Sequence, residues 1–477
     1  MKSFFSLVLL LFSVLVQAQH KQQNFVFILV DDLGWTDLGY MGSDFYESPH
    51  IDSLSKESFV FDNAYSSSSV CSPSRSAIMT GKHPARVNIT DWIPGQDPKD
   101  RILLGPQDLS ALPLEELTIA EVLKENGYST FFAGKWHLGG EGFLPDEQGF
   151  DINRGGNHTG QPKGGYYSPY DNRQLKDGEE GEYLTDRLTD ESLDYLQSIE
   201  GKPFFLFLPY YTVHTPIQPS KRHLERFEDK LKQLDQTIEF KEEKDSRTTC
   251  SQRNPKYASM VYALDENIGR LIDALKANGQ YENTTIVFTS DNGGLSTLLS
   301  RYNYDAPTSV MPLRAGKGWL YEGGIRVPLL IKPANHEGES RTISEPVIGH
   351  DFYPTILSLA NIAAPKDQVI DGEDISVLFK TSEGLSRKSI FWHYPHYHGS
   401  GWRPGAAIRV GDWKLIEFYE SETVELYNLV EDISEQKDLS SIYPKKVRVL
   451  KRRLSRFQKS MQANAPSMNP KYKTSND

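Results

Sequence analysis

Residues 24–34 read Asn-Phe-Val-Phe-Ile-Leu-Val-Asp-Asp-Leu-Gly. The run at 24–30 (NFVFILV) is apolar beyond its first residue and rich in β-branched and aromatic side chains. That is the form of a strand buried on both faces of a parallel sheet. It stops at two adjacent carboxylates, Asp31 and Asp32. Paired carboxylates at the end of a buried strand are costly unless opposite charge neutralises them. In open α/β sheets the ligand crevice lies beyond the carboxyl ends of the strands. The stretch therefore predicts a fold and also a place for chemistry.

Three other runs have the same form. Residues 129–133 (STFFA) lead into Gly134-Lys135-Trp136-His137, residues 203–208 (PFFLFL) into Tyr211-Thr212-Val213-His214, and residues 284–289 (TTIVFT) into Ser290-Asp291-Asn292-Gly293-Gly294. Helical patterns at 117–126, 184–199 and 257–278 precede them. Such alternation predicts a mostly parallel sheet with helices on both faces. A histidine or lysine taken singly is ordinarily a packed or surface residue; the repeated placement at strand ends is what points to a site.

Beyond residue 375 the pattern changes. Residues 408–410 and 413–418 read as short strands around a Gly411-Asp412 turn. Residues 443–462 read as a basic amphipathic helix with Val447, Leu450, Leu454 and Phe457 on its packed face. Residues 225–253 are strongly charged and read as an exposed helical or loop insertion, and residues 463–477 as a frayed polar tail. The predicted fold class is α/β, a large mixed, mostly parallel sheet flanked by helices, with a smaller C-terminal α+β subdomain. The division is a leader at 1–18, a catalytic domain at 19–375 and the subdomain at 376–477.

The 477 residues carry a net charge of −12, which argues against a nucleic-acid binder, since such proteins need a basic surface. An anion-binding site in this chain would need a local positive pocket. Lys2, the apolar run at 4–16 and Val16-Gln17-Ala18 read as a signal peptide cleaved after Ala18, too short for a membrane span. The expected location is periplasmic or secreted, without stable membrane insertion. The two cysteines, Cys71 and Cys250, permit one disulfide.

The surroundings of Cys71 favour another role. Residues 66–84 read SSSSVCSPSRSAIMTGKHP. Pro73 suits the first turn of a helix. Cys71 then lies where backbone N–H groups and the helix dipole favour anions, with Arg75 one turn along. Here the chain resembles the type I sulfatases of the alkaline-phosphatase superfamily, whose signature is Cys (or Ser)-x-Pro-x-Arg followed by Thr-Gly. The chain has Cys71-Ser72-Pro73-Ser74-Arg75 and Thr80-Gly81. Asp31-Asp32, Gly134-Lys135-Trp136-His137, His214, Asp291-Asn292-Gly293, and Lys317 before Tyr321-Glu322-Gly323-Gly324 follow the family's order, over roughly residues 24–360.

The resemblance implies that a maturation enzyme oxidises Cys71 to formylglycine, leaving Cys250 a lone thiol. It implies one Ca2+ ion held by Asp31, Asp32, Asp291, Asn292 and residue 71; hard oxygen ligands suit such an ion. Lys135 and Lys317 would hold the sulfate, and Arg75 would orient the formylglycine. His214 or Lys317 would protonate the leaving alcohol, and His137 would deprotonate the second hydroxyl of the aldehyde hydrate. The substrate implied is a sulfated glycan, with a lean towards galactose or N-acetylgalactosamine units. Asn157 and His158, and His393, His396 and Arg403 in an aromatic-rich segment, are the expected sugar contacts. Competing readings are a phosphodiesterase or phosphonate monoester hydrolase on the same fold, and a glycan-binding relative without activity.

Overall fold

The computed structural model describes residues 22–472, except 97, 200, 235, 236, 339 and 381–383. The signal-peptide reading falls outside these residues. Among the described residues no helix is long and apolar enough to cross a membrane.

The main sheet has eight strands: β1 (Asn24–Val30), β2 (Phe59–Phe61), β3 (Ser129–Ala133), β4 (Ile152–Arg154), β5 (Phe204–Pro209), β6 (Thr284–Ser290), β7 (Leu329–Lys332) and β8 (Thr342–Ile343). Their spatial order is β8-β2-β7-β6-β1-β5-β3-β4. Only β7 runs against the others. β1 is central, with Phe27 in register with Val287 on one side and Phe207 on the other.

Every residue of β1 is buried because both faces of the sheet are covered. Val26, Ile28 and Val30 join one core with the helices α3 (Leu184–Ser198) and α4 (Pro255–Ala277). Phe25, Phe27 and Leu29 join the opposite core with α2 (Ile119–Glu125) and α5 (Phe352–Leu359). There Phe27 stacks on Phe207 at 5.1 Å and meets the edge of Phe352 at 5.2 Å.

The C-terminal part is a four-stranded antiparallel meander, β9 (Ile390–Tyr394), β10 (Gly405–Val410), β11 (Trp413–Phe418) and β12 (Thr423–Asn428). One face joins Trp319, Tyr321 and Trp392 in a core shared with the main unit. The helix α6 (Pro444–Ser460) covers the other through Leu450 and Leu454.

Two sequence readings need correction. The charged insertion is only partly loose: Phe240–Glu243 and Ser246–Thr249 form a hairpin that pairs with Thr297–Leu299, and Glu243 is buried against Arg314. The polar tail is also tied down as far as it is described. Ser467–Met468 pairs with Leu103–Leu104, and the Asn469 amide donates to the carbonyls of Lys99 and Arg101. Both are long-range pairings that local polarity does not reveal.

Candidate active site

The polar segments that follow β1, β3, β5 and β6 converge at one edge of the sheet. Tight turns make this possible. Gly134 has φ of 131°, and a Cβ there would lie 1.9 Å from the Pro209 carbonyl oxygen. Only glycine lets the Lys135 segment press this closely on the end of β5. Gly293 is equally constrained, a Cβ there coming within 2.0 Å of the Gly323 oxygen.

Asp31, Asp32 and Asp291 are buried together. Three cations face them. Lys135 Nζ lies 2.7 Å from Asp31 Oδ2, Lys317 Nζ 2.8 Å from Asp32 Oδ2, and Arg75 Nε 2.8 Å from Asp291 Oδ2. These are the local cations that an anion site in a chain of net charge −12 requires, each of them paired with a carboxylate. Burial alone would raise the Asp32 pKa, but Lys317, His214 and Lys135 reverse that and hold it below the usual carboxylate range. Asp31 is pushed up, by burial first, with Asp291 and Asp32 adding to the effect against Lys135 and Arg75. Lys317 is held protonated: burial opposes its charge, but Asp32 and Cys71 more than compensate.

The α1 helix (Cys71–Thr80) begins at Cys71, which is therefore its first residue. Both cysteines are free thiols, and Cys71 is buried. Cys71 Sγ lies 3.3 Å from His137 Nδ1. His137 Nε2 donates to the Ile93 carbonyl at 2.5 Å. A carbonyl only accepts, so Nε2 carries the proton. Burial, reinforced by Lys135, keeps the ring neutral by holding its pKa well below the usual value. Nδ1 is therefore the unprotonated nitrogen and faces residue 71. His214 is the mirror case: Nδ1 donates to the Thr215 carbonyl at 2.8 Å, and Nε2 lies 3.6 Å from Asp32. Burial and Lys317 bring its pKa down to about 3.

Asp31, Asp32 and His214 each place a ligand atom within 4.8 Å of the other two. Asp31 Oδ1 and Asn292 Oδ1 are buried acceptors with no hydrogen-bond partner. Native proteins rarely leave such acceptors unpaired. Orphaned hard oxygens beside clustered carboxylates fit a divalent cation of the calcium or magnesium type.

Above this floor opens a cleft of about 700 Å³, lined by Asp32, Cys71, His137, His214 and Lys317 from the polar cluster and by His158, Trp92, Gln96, Tyr302, Tyr304 and His398 on its walls. The structure thus brings together Asp31, Asp32, Cys71, Arg75, Lys135, His137, His214, Asp291, Asn292 and Lys317, with His158 at the mouth. The other expected sugar contacts do not line the cleft. Asn157 spends its side-chain oxygen on the Thr159 N–H and hydroxyl. His393 is buried and bonds the Asn464 carbonyl and Tyr419 hydroxyl. His396 is buried against the Thr90 hydroxyl. Arg403 pairs with Glu420 at 2.7 Å. The histidine of that segment that reaches the cleft is His398, which the sequence reading passed over. Its Nδ1 bonds the Ser400 hydroxyl at 2.7 Å, and burial, with Lys317, brings its pKa down to about 3. Trp92, Tyr302 and Tyr304 were passed over too; they sit in stretches without periodicity or motif.

Asp91 holds the wall in place. It accepts from the Tyr394 hydroxyl and from the N–H groups of Trp92 and Gln96, and so anchors the loop whose Ile93 carbonyl fixes His137. Burial raises the Asp91 pKa to about 8 against these hydrogen bonds. A carboxyl raised on folding contributes stability that is full below its unfolded pKa and is lost as pH rises through its folded pKa. Asp91→Asn removes this titration. The stability of the variant relative to the parent should therefore improve as pH rises from about 4 to about 8. Calorimetric melting across that range checks it; a constant difference would show that Asp91 does not titrate in the window.

Two family models match the chain: Sulfatase over residues 23–362, and N-sulphoglucosamine sulphohydrolase, C-terminal, over residues 315–461. Arylsulfatase J of Mus musculus is 31% identical, the match covering 92% of this chain and 76% of that protein. A Sulfatase of Formosa agariphila is also 31% identical, covering 93% and 90%. The crystal structure of Ps i-CgsB in complex with k-i-k-neocarrahexaose superposes with a TM-score of 0.74 at 30% identity, covering 91% of this chain and 92% of that one. The strand-end cluster, the cysteine signature and these matches agree: the chain belongs to the type I sulfatase family of the alkaline-phosphatase superfamily and is a sulfuric ester hydrolase.

Proposed function

We propose that this chain removes sulfate from a sulfated oligosaccharide or polysaccharide, using Cys71 after its oxidation to formylglycine by a maturation enzyme. The observation that carries the reading is Cys71 Sγ on the cleft floor, 3.3 Å from the unprotonated nitrogen of His137 and beside Lys317 and the carboxylate cluster. The aromatic wall of Trp92, Tyr302 and Tyr304 supports a sugar substrate, since such rings present apolar faces with polar edges. The lean to galactose or N-acetylgalactosamine has support from relatives such as N-acetylgalactosamine-6-sulfatase of Canis lupus familiaris, 31% identical with 78% of this chain and 68% of that protein covered. The leader at residues 1–18 fits export to meet such a substrate.

Each residue then has a task. Lys135 and Lys317 bind the sulfate oxygens and stabilise the charge that develops on them. Arg75, fixed by Asp291 and the Lys135 carbonyl, orients residue 71. One hydroxyl of the hydrated aldehyde attacks sulfur, and the sugar oxygen leaves. Neutral His214 has its one N–H committed to Thr215, so Lys317 is the better placed proton source for that oxygen. His137 Nδ1 then takes the proton of the second hydroxyl, the carbonyl re-forms, and sulfate is expelled. A calcium ion held by Asp31, Asp32, Asp291, Asn292 and the matured residue 71 would supply charge neutralisation and lower the pKa of the attacking hydroxyl.

The test is sulfate release from sulfated galactose and N-acetylgalactosamine oligosaccharides, run beside matched phosphate esters, with mass spectrometry of the Cys71 peptide from the native host. The expected results are sulfate release, loss of activity on chelation with recovery on adding Ca2+, and an aldehyde in place of the thiol. Preference for phosphate esters, or an unmodified thiol in active protein, would overturn the proposal.

A further inference from the structure

The helix α6 (Pro444–Ser460) carries Lys445, Lys446, Arg448, Lys451, Arg452, Arg453, Arg456 and Lys459 and no acidic residue. Solvated helix faces ordinarily mix both signs of charge. Here a chain of net charge −12 gathers one sign on one helix. Lys445, Arg448, Arg452, Arg456 and Lys459 are all exposed and follow one another at steps of three and four. That spacing aligns them in a single stripe about 21 Å long. The stripe points away from Leu450 and Leu454, which anchor the helix to the sheet. Among the described residues, the helix makes one ion pair, Lys451 with Glu417. Among the described residues the stripe itself has none.

A second feature adjoins it. A groove of about 720 Å³ runs along the first half of the helix, lined by Trp413, Ile442, Tyr443, Val449 and Arg453. Ile442, Tyr443 and Val449 are exposed, and Lys446 lies over the Trp413 ring at 3.5 Å. The helix covers the face of the C-terminal sheet opposite the one that packs on Trp319 and Tyr321, next in the chain to Lys317. The surface is therefore separated from the cleft by the sheet.

We infer that this helix is a second binding surface, for a polymeric sulfated glycan, which the stripe grips through its sulfates while a sugar unit rests in the groove. The charge complementarity is direct: a rod of one sign facing a chain that repeats the other. Held at this surface, a polymer raises the local concentration of its other sulfates at the cleft. The inference rests on the reading that the substrate is a sulfated glycan.

The experiment measures binding of the complete protein to dextran sulfate and to unsulfated dextran of equal length, at low and raised salt. The comparison is with the triple variant Arg448→Glu/Arg452→Glu/Arg456→Glu and with Tyr443→Ala. The parent should bind dextran sulfate, and the triple variant should lose affinity by about tenfold or more together with most of the salt dependence. Tyr443→Ala should weaken binding and leave the salt dependence unchanged. Turnover of a small sulfate ester should be the same in all three proteins, which also reports that the variants fold. Equal affinity of parent and triple variant for dextran sulfate would overturn the inference. So would stripe-dependent binding to phosphatidylglycerol vesicles that exceeds binding to dextran sulfate, which would make the helix a membrane-surface element. Stripe-dependent binding without cleavage of any glycan sulfate would sustain this surface while refuting the proposed substrate.

Discussion

Cys71→Ala is expected to reduce sulfate release by about 10⁴-fold or more, leaving only what the binding groups contribute without a nucleophile. Residue 71 lies on the cleft floor within reach of His137 Nδ1 and at the first turn of a helix that stabilises negative charge. Alanine is compatible with a helical first turn, so the fold should persist, and an unchanged melting temperature confirms that. Turnover within tenfold of the parent would exclude residue 71 as the nucleophile. His137→Ala serves as the companion: it should slow expulsion of sulfate, so that protein carrying covalent sulfate on residue 71 accumulates and is seen by mass.

The largest effect on stability is expected at Lys414. This lysine on β11 is fully buried, 2.8 Å from Glu322 and 2.9 Å from Glu435, and Glu435 also accepts from the Glu322 backbone N–H at 2.6 Å. Glu322 further accepts from the Tyr65 hydroxyl at 2.7 Å. The cluster pins the C-terminal sheet to the segment that follows Lys317. Lys414→Met leaves two carboxylates buried without their main counter-charge, a loss of about 3–5 kcal/mol. The pH dependence follows from the two glutamates. Burial opposes ionisation of Glu322, but Lys414 and Arg326 bring its pKa down to about 2, so its contribution is present above its unfolded pKa and is lost as pH falls through the folded one. Burial raises Glu435 to about 7 even with Lys414 present. The deficit of the variant should therefore be greatest near neutral pH and narrow on acidification, as both carboxyls take up protons. Urea unfolding at several pH values reads this directly. Lys414→Met/Glu435→Gln should recover part of the loss; an equal deficit in single and double variants would place the effect in packing rather than charge.

Much of this protein is written in local pattern. β1 and β3 begin and end where the apolar runs at 24–30 and 129–133 do, and β5 and β6 differ from their runs by a residue or so. The reason is that a strand covered on both faces is largely apolar, so its end shows in the sequence as a turn glycine or the first run of polar residues. The polar cluster is legible for the same cause: Asp31, Lys135, His214 and Asp291 follow strands whose carboxyl ends share one edge. Residues 391–403 show where that legibility stops. They hold three histidines, and nothing in their spacing says which one faces the cleft. His393 lies within β9 and is turned towards Asn464, a partner 71 residues away, whereas His398 lies beyond the strand in the turn closed by the His398 N–H on the Trp402 carbonyl at 3.1 Å.

The sequence by itself determined the alternating strands and helices, the cysteine signature at residues 71–75 and the residues of the polar cluster, because each depends on residues close in the chain or on the simple rule that strand ends gather. Only the tertiary structure decided the walls of the cleft, the tie between the tail and residues 103–104, and the choice of His398 over its neighbours. Those depend on pairings between distant segments, whose energy comes from surfaces that exist only once the sheet has formed.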